Sequence, residues 1–320
     1  MRARDMASSS LLDRIFAVQD VIVLDGGLAT ALESLGHDLS DRLWSARLLL
    51  DDPNAIREVH RRYLEAGADC ITTASYQASI EGFMGRGLTR ARSVELLQFS
   101  VELAMQVRDD FWAVERNRPG RIRPLIAASI GPYGAYLANG AEYTGRYDLD
   151  EEGLYAFHQP RFEILADAGP DLLACETIPS QSEGRALARL VEQAPGVRAW
   201  MSFSCRDGHH LCDGTPFGEV IRGLSGRHGI VAIGVNCTAP QHVASLLEDA
   251  RGETDLPLVA YPNSGEVYNV SAHGWSGGPS TRLTDEAPRW RAAGARLIGG
   301  CCRTGFDDIR ALRERLMRRT

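Results

Sequence analysis

Short, nearly continuous apolar runs recur along the chain. They lie at 21–27 (VIVLDGG), 70–76 (CITTASY), 125–131 (LIAASIG), 172–177 (LLACET), 199–205 (AWMSFSC), 231–237 (VAIGVNC), 256–262 (LPLVAYP) and 296–302 (RLIGGCC). Runs of this kind suit strands of a parallel sheet covered on its outer face. Helical patterns fall between them at 53–68, 89–111, 157–169, 241–250 and 285–295, and a last one follows at 306–319. Several end in an Ala-Gly pair just before the next strand, a natural helix C-cap.

Eight strands joined by helical crossovers predict an α/β chain folded as a single-domain (β/α)₈ TIM barrel. A doubly wound open sheet is the rival, but no GxGxxG loop follows the first strand. No linker, low-complexity tract or charge run divides the chain, so the barrel is expected over 16–320 after an N-terminal extension at 1–15. Two connections, 131–150 and 262–282, are long and unlike helices. Both follow a strand's C-terminal end, which makes them candidate lids or binding loops, or ordinary surface loops.

Composition narrows the chemistry. The chain has 320 residues and a net charge of −7, with no basic run, which argues against nucleic-acid binding. No apolar stretch approaches the ~20 residues of a membrane span. The N-terminal segment does not read as a secretory signal, and a cytoplasmic enzyme is expected. All 35 basic side chains are arginine. Schiff-base and pyridoxal-phosphate chemistry, which need a lysine amine, are thereby set aside, as is the GxxxxGK[ST] phosphate loop. Seven cysteines, an odd number, do not suggest a disulfide framework.

Polar residues gather where the predicted strands end. Asp25, Tyr76, Glu176, Cys237, Asn263, Cys301 and Cys302 all stand at or just past C-terminal strand ends. In a barrel those ends converge on one mouth. Three thiolates at one rim make an open zinc site, with a fourth position for water or substrate. Burial of the Cys301-Cys302 pair as core, or a strained adjacent disulfide, is the plainer alternative.

The segments VIVLDGGLATALE, ITTASYQAS, CETIPS, GVNC, YPNSGE and GGCCRT, in this order, resemble the homocysteine S-methyltransferases. The resemblance runs from about residue 15 to the C-terminus, and GVNC paired with GGCC is its specific part. It implies a zinc-dependent barrel with Cys237, Cys301 and Cys302 as ligands. It also implies that Asp25 and Glu176 grip the ammonium of homocysteine, with the Gly26-Gly27 amides near its carboxylate. The implied donor is a sulfonium, S-methylmethionine for preference or S-adenosylmethionine.

Physical chemistry agrees with that chemistry. A free thiol is mostly protonated at pH 7, and a metal deprotonates it. Transfer from a sulfonium to a thiolate annihilates charge, so a dry pocket helps. Aromatic faces suit the sulfonium, and Trp44 and Tyr76 are the candidates; simple packing is the plainer role for both. Thr177 stands where betaine-using relatives carry an aromatic residue, which weakens a betaine reading.

His209-His210, His158, His228, His242 and His273 show neither HxH at a strand end nor HExxH, and read as loop or packing residues. Cys70, Cys175 and Cys205 read as packing, with Cys212 an undecided loop thiol. A methyltransferase module that relies on a corrinoid or folate partner, or a non-catalytic zinc barrel, remains as an alternative. A monomer is expected, since no apolar heptad or spare helix suggests an interface.

Overall fold

The eight apolar runs form eight parallel strands. They are β1 (Ile22–Val23), β2 (Cys70–Thr72), β3 (Leu125–Ile130), β4 (Leu172–Ile178), β5 (Ala199–Phe203), β6 (Ile230–Asn236), β7 (Leu258–Tyr261) and β10 (Ala295–Ile298), with β8 (Val267–Asn269) and β9 (Gly274–Ser276) pairing as an antiparallel hairpin between the last two. The computed structural model describes residues 11–39, 43–269, 274–276 and 282–318; the side chains of Trp44, 267–269 and 274–276 fall outside this description.

The sheet order is β1-β10-β7-β6-β5-β4-β3-β2. It closes through a parallel bridge between Leu24 and Cys70, where Asp69 N–H donates to Val23 O (2.7 Å) and Asp25 N–H to Cys70 O (3.1 Å). The result is the predicted (β/α)₈ barrel.

Helices cover its outer face. The longer ones are α4 (Pro53–Ala66), α6 (Arg90–Ala113), α8 (Glu151–Asp167), α9 (Gln181–Gln193), α10 (Phe217–Leu224), α11 (Pro240–Arg251), α12 (Leu283–Ala292) and α13 (Phe306–Met317). Shorter ones are α1 (Leu11–Phe16), α2 (Leu28–Ser34), α3 (Leu48–Asp51), α5 (Ile80–Met84) and α7 (Tyr133–Leu137). Asp52, Ser79, Thr89, Asp150 and Ser180 each accept a bond from the backbone N–H three residues on, the usual N-cap geometry.

The differences from the sequence pattern have local causes. α8 starts six residues before the predicted 157 because Asp150 caps it, and it tolerates Pro160 inside. The 131–150 connection, expected to be unlike a helix, holds α7 and a 3₁₀ turn, Ala141–Tyr143. α1 straddles the boundary drawn between 15 and 16 and buries Leu12 and Ile15 among the barrel's interior residues. No helix among the described residues is long and apolar enough to cross a membrane.

Alternation along the strands separates two cores. Side chains facing the helices form the larger one, and those inside the barrel form the smaller. Inside, Leu125 and Ala127, Leu172 and Ala174, and Trp200 fill the lower half. Two residues further along each strand, the same inward face presents Ser129, Glu176 and Ser202. The interior thus turns from apolar to polar toward the C-terminal end.

The opposite end is locked by Asp69, which is fully buried. Its carboxylate accepts from Gln19 Nε2 (2.7 Å), Val23 N–H (3.2 Å) and Arg313 Nη1 (2.7 Å). Asp69→Asn breaks a buried ion pair far from the mouth. It is expected to cost about 3 kcal/mol in urea unfolding while leaving whatever activity resides at the mouth intact. A lowered activity at unchanged stability would refute this assignment to the stability face.

Candidate metal and substrate site

Three cysteines from two distant strand ends meet at the mouth. The Cys237, Cys301 and Cys302 sulfurs all lie within 4.8 Å of one another, and Cys237 Sγ is 3.8 Å from Cys302 Sγ. Two thiolates bound to one tetrahedral zinc at about 2.3 Å each stand roughly 3.8 Å apart. The cluster therefore fits that ion on its own dimensions. All three residues are partly exposed, so the open side faces the mouth.

Backbone bonds fix these sulfurs independently of any metal. Cys237 N–H donates to Tyr261 O (3.2 Å), Cys301 N–H to Pro262 O (2.8 Å) and Ser264 N–H to Cys302 O (3.1 Å). Cys237 and Arg303 adopt left-handed backbone, φ 47° and 64°. That conformation is uncommon for such residues and gathers at functional sites. Glycine permits the close approach of β1 to the cysteine turn. A Cβ on Gly27 would stand 2.6 Å from Cys301 O, and one on Gly299 2.6 Å from the Leu24 Cβ.

Charge is shared unevenly in the cluster. Hydrogen bonds from Cys237 and Cys301 hold the Cys302 thiol well below its ordinary range. The same contacts, with Cys301 and then Cys302, push Cys237 well above it. Left to itself the cluster favours one negative charge.

On one side stand two buried carboxylates. Asp25 accepts from Thr72 N–H (2.8 Å) and from the Thr72 hydroxyl (3.1 Å). Burial raises its carboxyl well above the usual range, Thr72 pulls it back, and the Glu176 charge raises it further. Glu176 accepts from the Ser129 hydroxyl and from Tyr261 Oη (3.0 Å). The Tyr261 phenol accepts in turn from Trp200 Nε1 (2.9 Å) and meets Ser202 Oγ at 2.5 Å. Burial pushes Glu176 up to about 7 against the pull of Ser129, and the nearby Cys301 adds to the rise. Two carboxylates that resist ionisation together, with no cation beside them among the described residues, have the chemistry to receive one.

On the other side stand tyrosines. Tyr76 lies near Cys237 and hydrogen-bonds Thr177; burial first, then the Cys237 charge, raises its phenol. Tyr143, from the 131–150 connection, is within electrostatic reach of all three cysteines. Beside it Glu142 has a buried Oε2 with no partner among the described residues. Thr177 is left-handed too, at φ 61°. Asn236 holds it there, accepting from Thr177 N–H (2.7 Å) and donating to Thr177 Oγ1 (2.8 Å).

Most sequence-predicted residues converge. Asp25, Tyr76, Glu176, Cys237, Cys301 and Cys302 share the mouth, and Asn263 is buried beside the cysteine turns with Oδ1 unpaired among the described residues. Gly27 N–H is already committed to Thr304 O (3.1 Å). Trp44 opens a 3₁₀ turn, Trp44–Arg47, but its side chain lies outside the described residues, as does His273. His209 and His210 pair with Asp249 and Asp207 at the surface, and His158 is buried in an ion-pair network. Cys70, Cys175 and Cys205 are buried, and the Cys212 thiol donates to Ser204 Oγ (3.5 Å). Sequence reading did not single out Thr72, Ser129, Tyr143, Asn236 or Tyr261.

Known proteins bear on this arrangement. The profile of the family described as homocysteine S-methyltransferase matches residues 22–316. The chain belongs to that family. It is 50% identical over 312 residues to the homocysteine S-methyltransferase of Escherichia coli, covering 97% of this chain and 100% of that one. It is 47% identical over 302 residues to the Bacillus subtilis homocysteine S-methyltransferase YbgG, covering 94% and 96%. The crystal structure of the E. coli homocysteine methyltransferase MmuM in its metallated form matches with a TM-score of 0.85 at 49% identity, over 95% of this chain and 99% of that one.

Proposed function

We propose that this homocysteine S-methyltransferase is a zinc enzyme whose methyl donor is a sulfonium, S-methylmethionine or S-adenosylmethionine. The observation that carries the reading is the three-thiol cluster with a buried carboxylate pair near Cys301 and tyrosines near Cys237. The metallated state of the E. coli relative supports a metal at the cluster. Bound by Cys237, Cys301 and Cys302, zinc would supply thiol ionisation at neutral pH.

The remaining work falls to the chain. Asp25 and Glu176 take the substrate ammonium, which supplies the cation that both carboxylates lack. The Gly26 amide and Asn263, whose buried Oδ1 is unpaired among the described residues, would take the rest of the amino-acid group. Tyr76 and Tyr143 stand on the donor side, where ring faces favour a sulfonium without the ground-state grip of a carboxylate.

A homocysteine sulfur lone pair attacks the methyl carbon. The donor's sulfur–methyl bond breaks, and its electrons stay on sulfur as a neutral thioether. Charge is lost in the transition state, so exclusion of water by the rim helps. Alignment of two sulfurs and one carbon supplies much of the rate. Seven unpaired cysteines suit a reducing compartment such as the cytoplasm.

The test is methionine formation by zinc-loaded protein with homocysteine and S-methylmethionine, S-adenosylmethionine or betaine in parallel. Either sulfonium is expected to exceed betaine by at least ~100-fold, since the donor side offers aromatic rings and a threonine at 177. Equal rates with betaine would overturn the sulfonium reading. Silence with all three would point to a partner-dependent module.

A further inference from the structure

Near the tyrosines lies a buried charged network. Glu183, His158 and Arg161 are 0%, 0% and 2% exposed. Glu183 Oε1 accepts from Tyr133 N–H (2.6 Å) and meets His158 Nε2 at 2.8 Å. Arg161 Nη2 donates to His158 Nδ1 (2.8 Å) and to Gly131 O (2.6 Å). Arginine can only donate, so Nδ1 accepts and Nε2 carries the proton of a neutral imidazole. Burial lowers the His158 pKa, in keeping with that form. The chain of donors and acceptors is consistent from Arg161 through His158 to Glu183.

The spacing Ser180-x-x-Glu183 at the start of α9 is that of a capping box. Ser180 Oγ does accept from Glu183 N–H (3.4 Å). The carboxylate, however, turns away from the helix and under the 131–150 connection. One of its oxygens is taken at the entry of that segment, by Tyr133. Its other oxygen, Oε2, is buried and unpaired among the described residues, and so is the Tyr147 hydroxyl near the exit. These two groups lie against one another, with the Gly134 backbone also beside the Tyr147 hydroxyl, and the Tyr147 ring packs edge-on against Tyr133, centroids 5.4 Å apart. A donor and an acceptor, both dry and adjacent, stand one small shift from a hydrogen bond. Between the two anchor points the segment carries Tyr143 to the thiol cluster.

We propose that Glu183 is the positioning residue of the 131–150 rim segment, holding its entry through Tyr133 and taking the Tyr147 hydroxyl when the methyl donor seats. Through that segment it sets how the donor is bound, and it touches neither substrate nor metal. The proposal rests on the reading that this segment serves the donor side.

Glu183→Leu fills the space but offers no acceptor to Tyr133 N–H or His158 Nε2–H. Glu183→Gln keeps Oε1 for both. The donor KM is expected to rise at least tenfold in Glu183→Leu and to stay within threefold of wild type in Glu183→Gln. The Kd for homocysteine and the bound zinc should hold within twofold in both. A second readout needs no turnover. Arg146 is exposed and is the sole trypsin site in 131–150, so cleavage there should quicken at least tenfold in Glu183→Leu and not in Glu183→Gln.

Equal rises in the donor KM and the homocysteine Kd, an unchanged cleavage rate, or a Gln variant as impaired as Leu would each overturn the proposal. If Glu183→Leu does not fold, Tyr147→Phe decides. It should raise the donor KM about threefold with homocysteine Kd and melting temperature unchanged, and an unaltered donor KM refutes the latch. Should wild type use no sulfonium at all, the donor reading fails, and cleavage at Arg146 still tests whether Glu183 holds the segment.

Discussion

Cys302→Ser is expected to lower methionine formation by at least ~10³-fold and to leave the protein with little zinc, while its melting temperature moves only slightly. Cys302 is in contact with both other thiols, which hold its own thiol well below its ordinary range. A serine hydroxyl keeps the size but is a poor ligand, and two remaining thiols do not close a structural or catalytic zinc site. The fold should survive because the turns that carry the cysteines are tied through backbone groups, Cys301 N–H to Pro262 O and Ser264 N–H to Cys302 O. Elemental analysis for zinc, run beside a circular-dichroism melt and the methyl-transfer assay, checks all three statements. Cys175→Ala is the control: that thiol is buried on the helix-facing side of β4, so its loss should cost stability but no zinc. Full zinc occupancy in Cys302→Ser would remove the residue from the ligand set.

What the sequence made legible follows from what each interaction spans. Strands showed because burial on both faces writes an apolar run into every one of them, and the order of runs and helical patterns leaves little beyond a barrel. The cysteines and the two carboxylates were legible because a barrel converts the end of a strand into a position at the mouth. Their partners were not. Ser129 looks like one small residue in LIAASI, and only the register that sets Ile130 beside Cys175 places it next to Glu176. Tyr261 sits in an apolar strand and reads as core, yet its phenol reaches across the interior to a carboxylate 85 positions away. Asn236 belongs to the quoted GVNC segment, but its work, clamping a left-handed Thr177, depends on a backbone angle that no composition signals. Tyr143 was hidden for another reason. The 131–150 segment has no periodicity of its own, and its placement depends on Glu183, a residue whose spacing from Ser180 suggests a helix cap instead.

Glu176→Gln is expected to weaken homocysteine binding about 100-fold with zinc retained, because removing one charge from a buried ion pair costs on the order of 2–3 kcal/mol. Gln keeps the shape and one acceptor oxygen, and its NH2 can donate to the other of the Ser129 and Tyr261 hydroxyls, so the measured loss reports charge more than packing. The pH dependence gives an independent check of sign. Glu176 is raised from 4.5 to about 7 in the empty site, chiefly by burial. Its native form therefore binds a proton that the unfolded chain has already released. Stability of the ligand-free protein should accordingly fall by about 3 kcal/mol as pH rises from about 4.5 to about 7 on this account. An ammonium in the site reverses the preference, since it favours the ionised carboxylate. Affinity for an α-amino acid should therefore climb with pH up to about 7, and binding below that pH should release a proton. The thiol would blur this reading, so the ligand of choice is 2-aminobutyrate, which keeps the amino-acid group and has no sulfur. Calorimetry at pH 6 in two buffers of different ionisation enthalpy measures the proton directly. Release in wild type that disappears in Glu176→Gln assigns the titration to this carboxylate. Release of the same size in both proteins would move it to Asp25, whose carboxyl is raised by the same burial and by the Glu176 charge itself. No release in either would mean that the pair does not receive the ammonium, and the substrate's amino group would have to be sought on the tyrosine side.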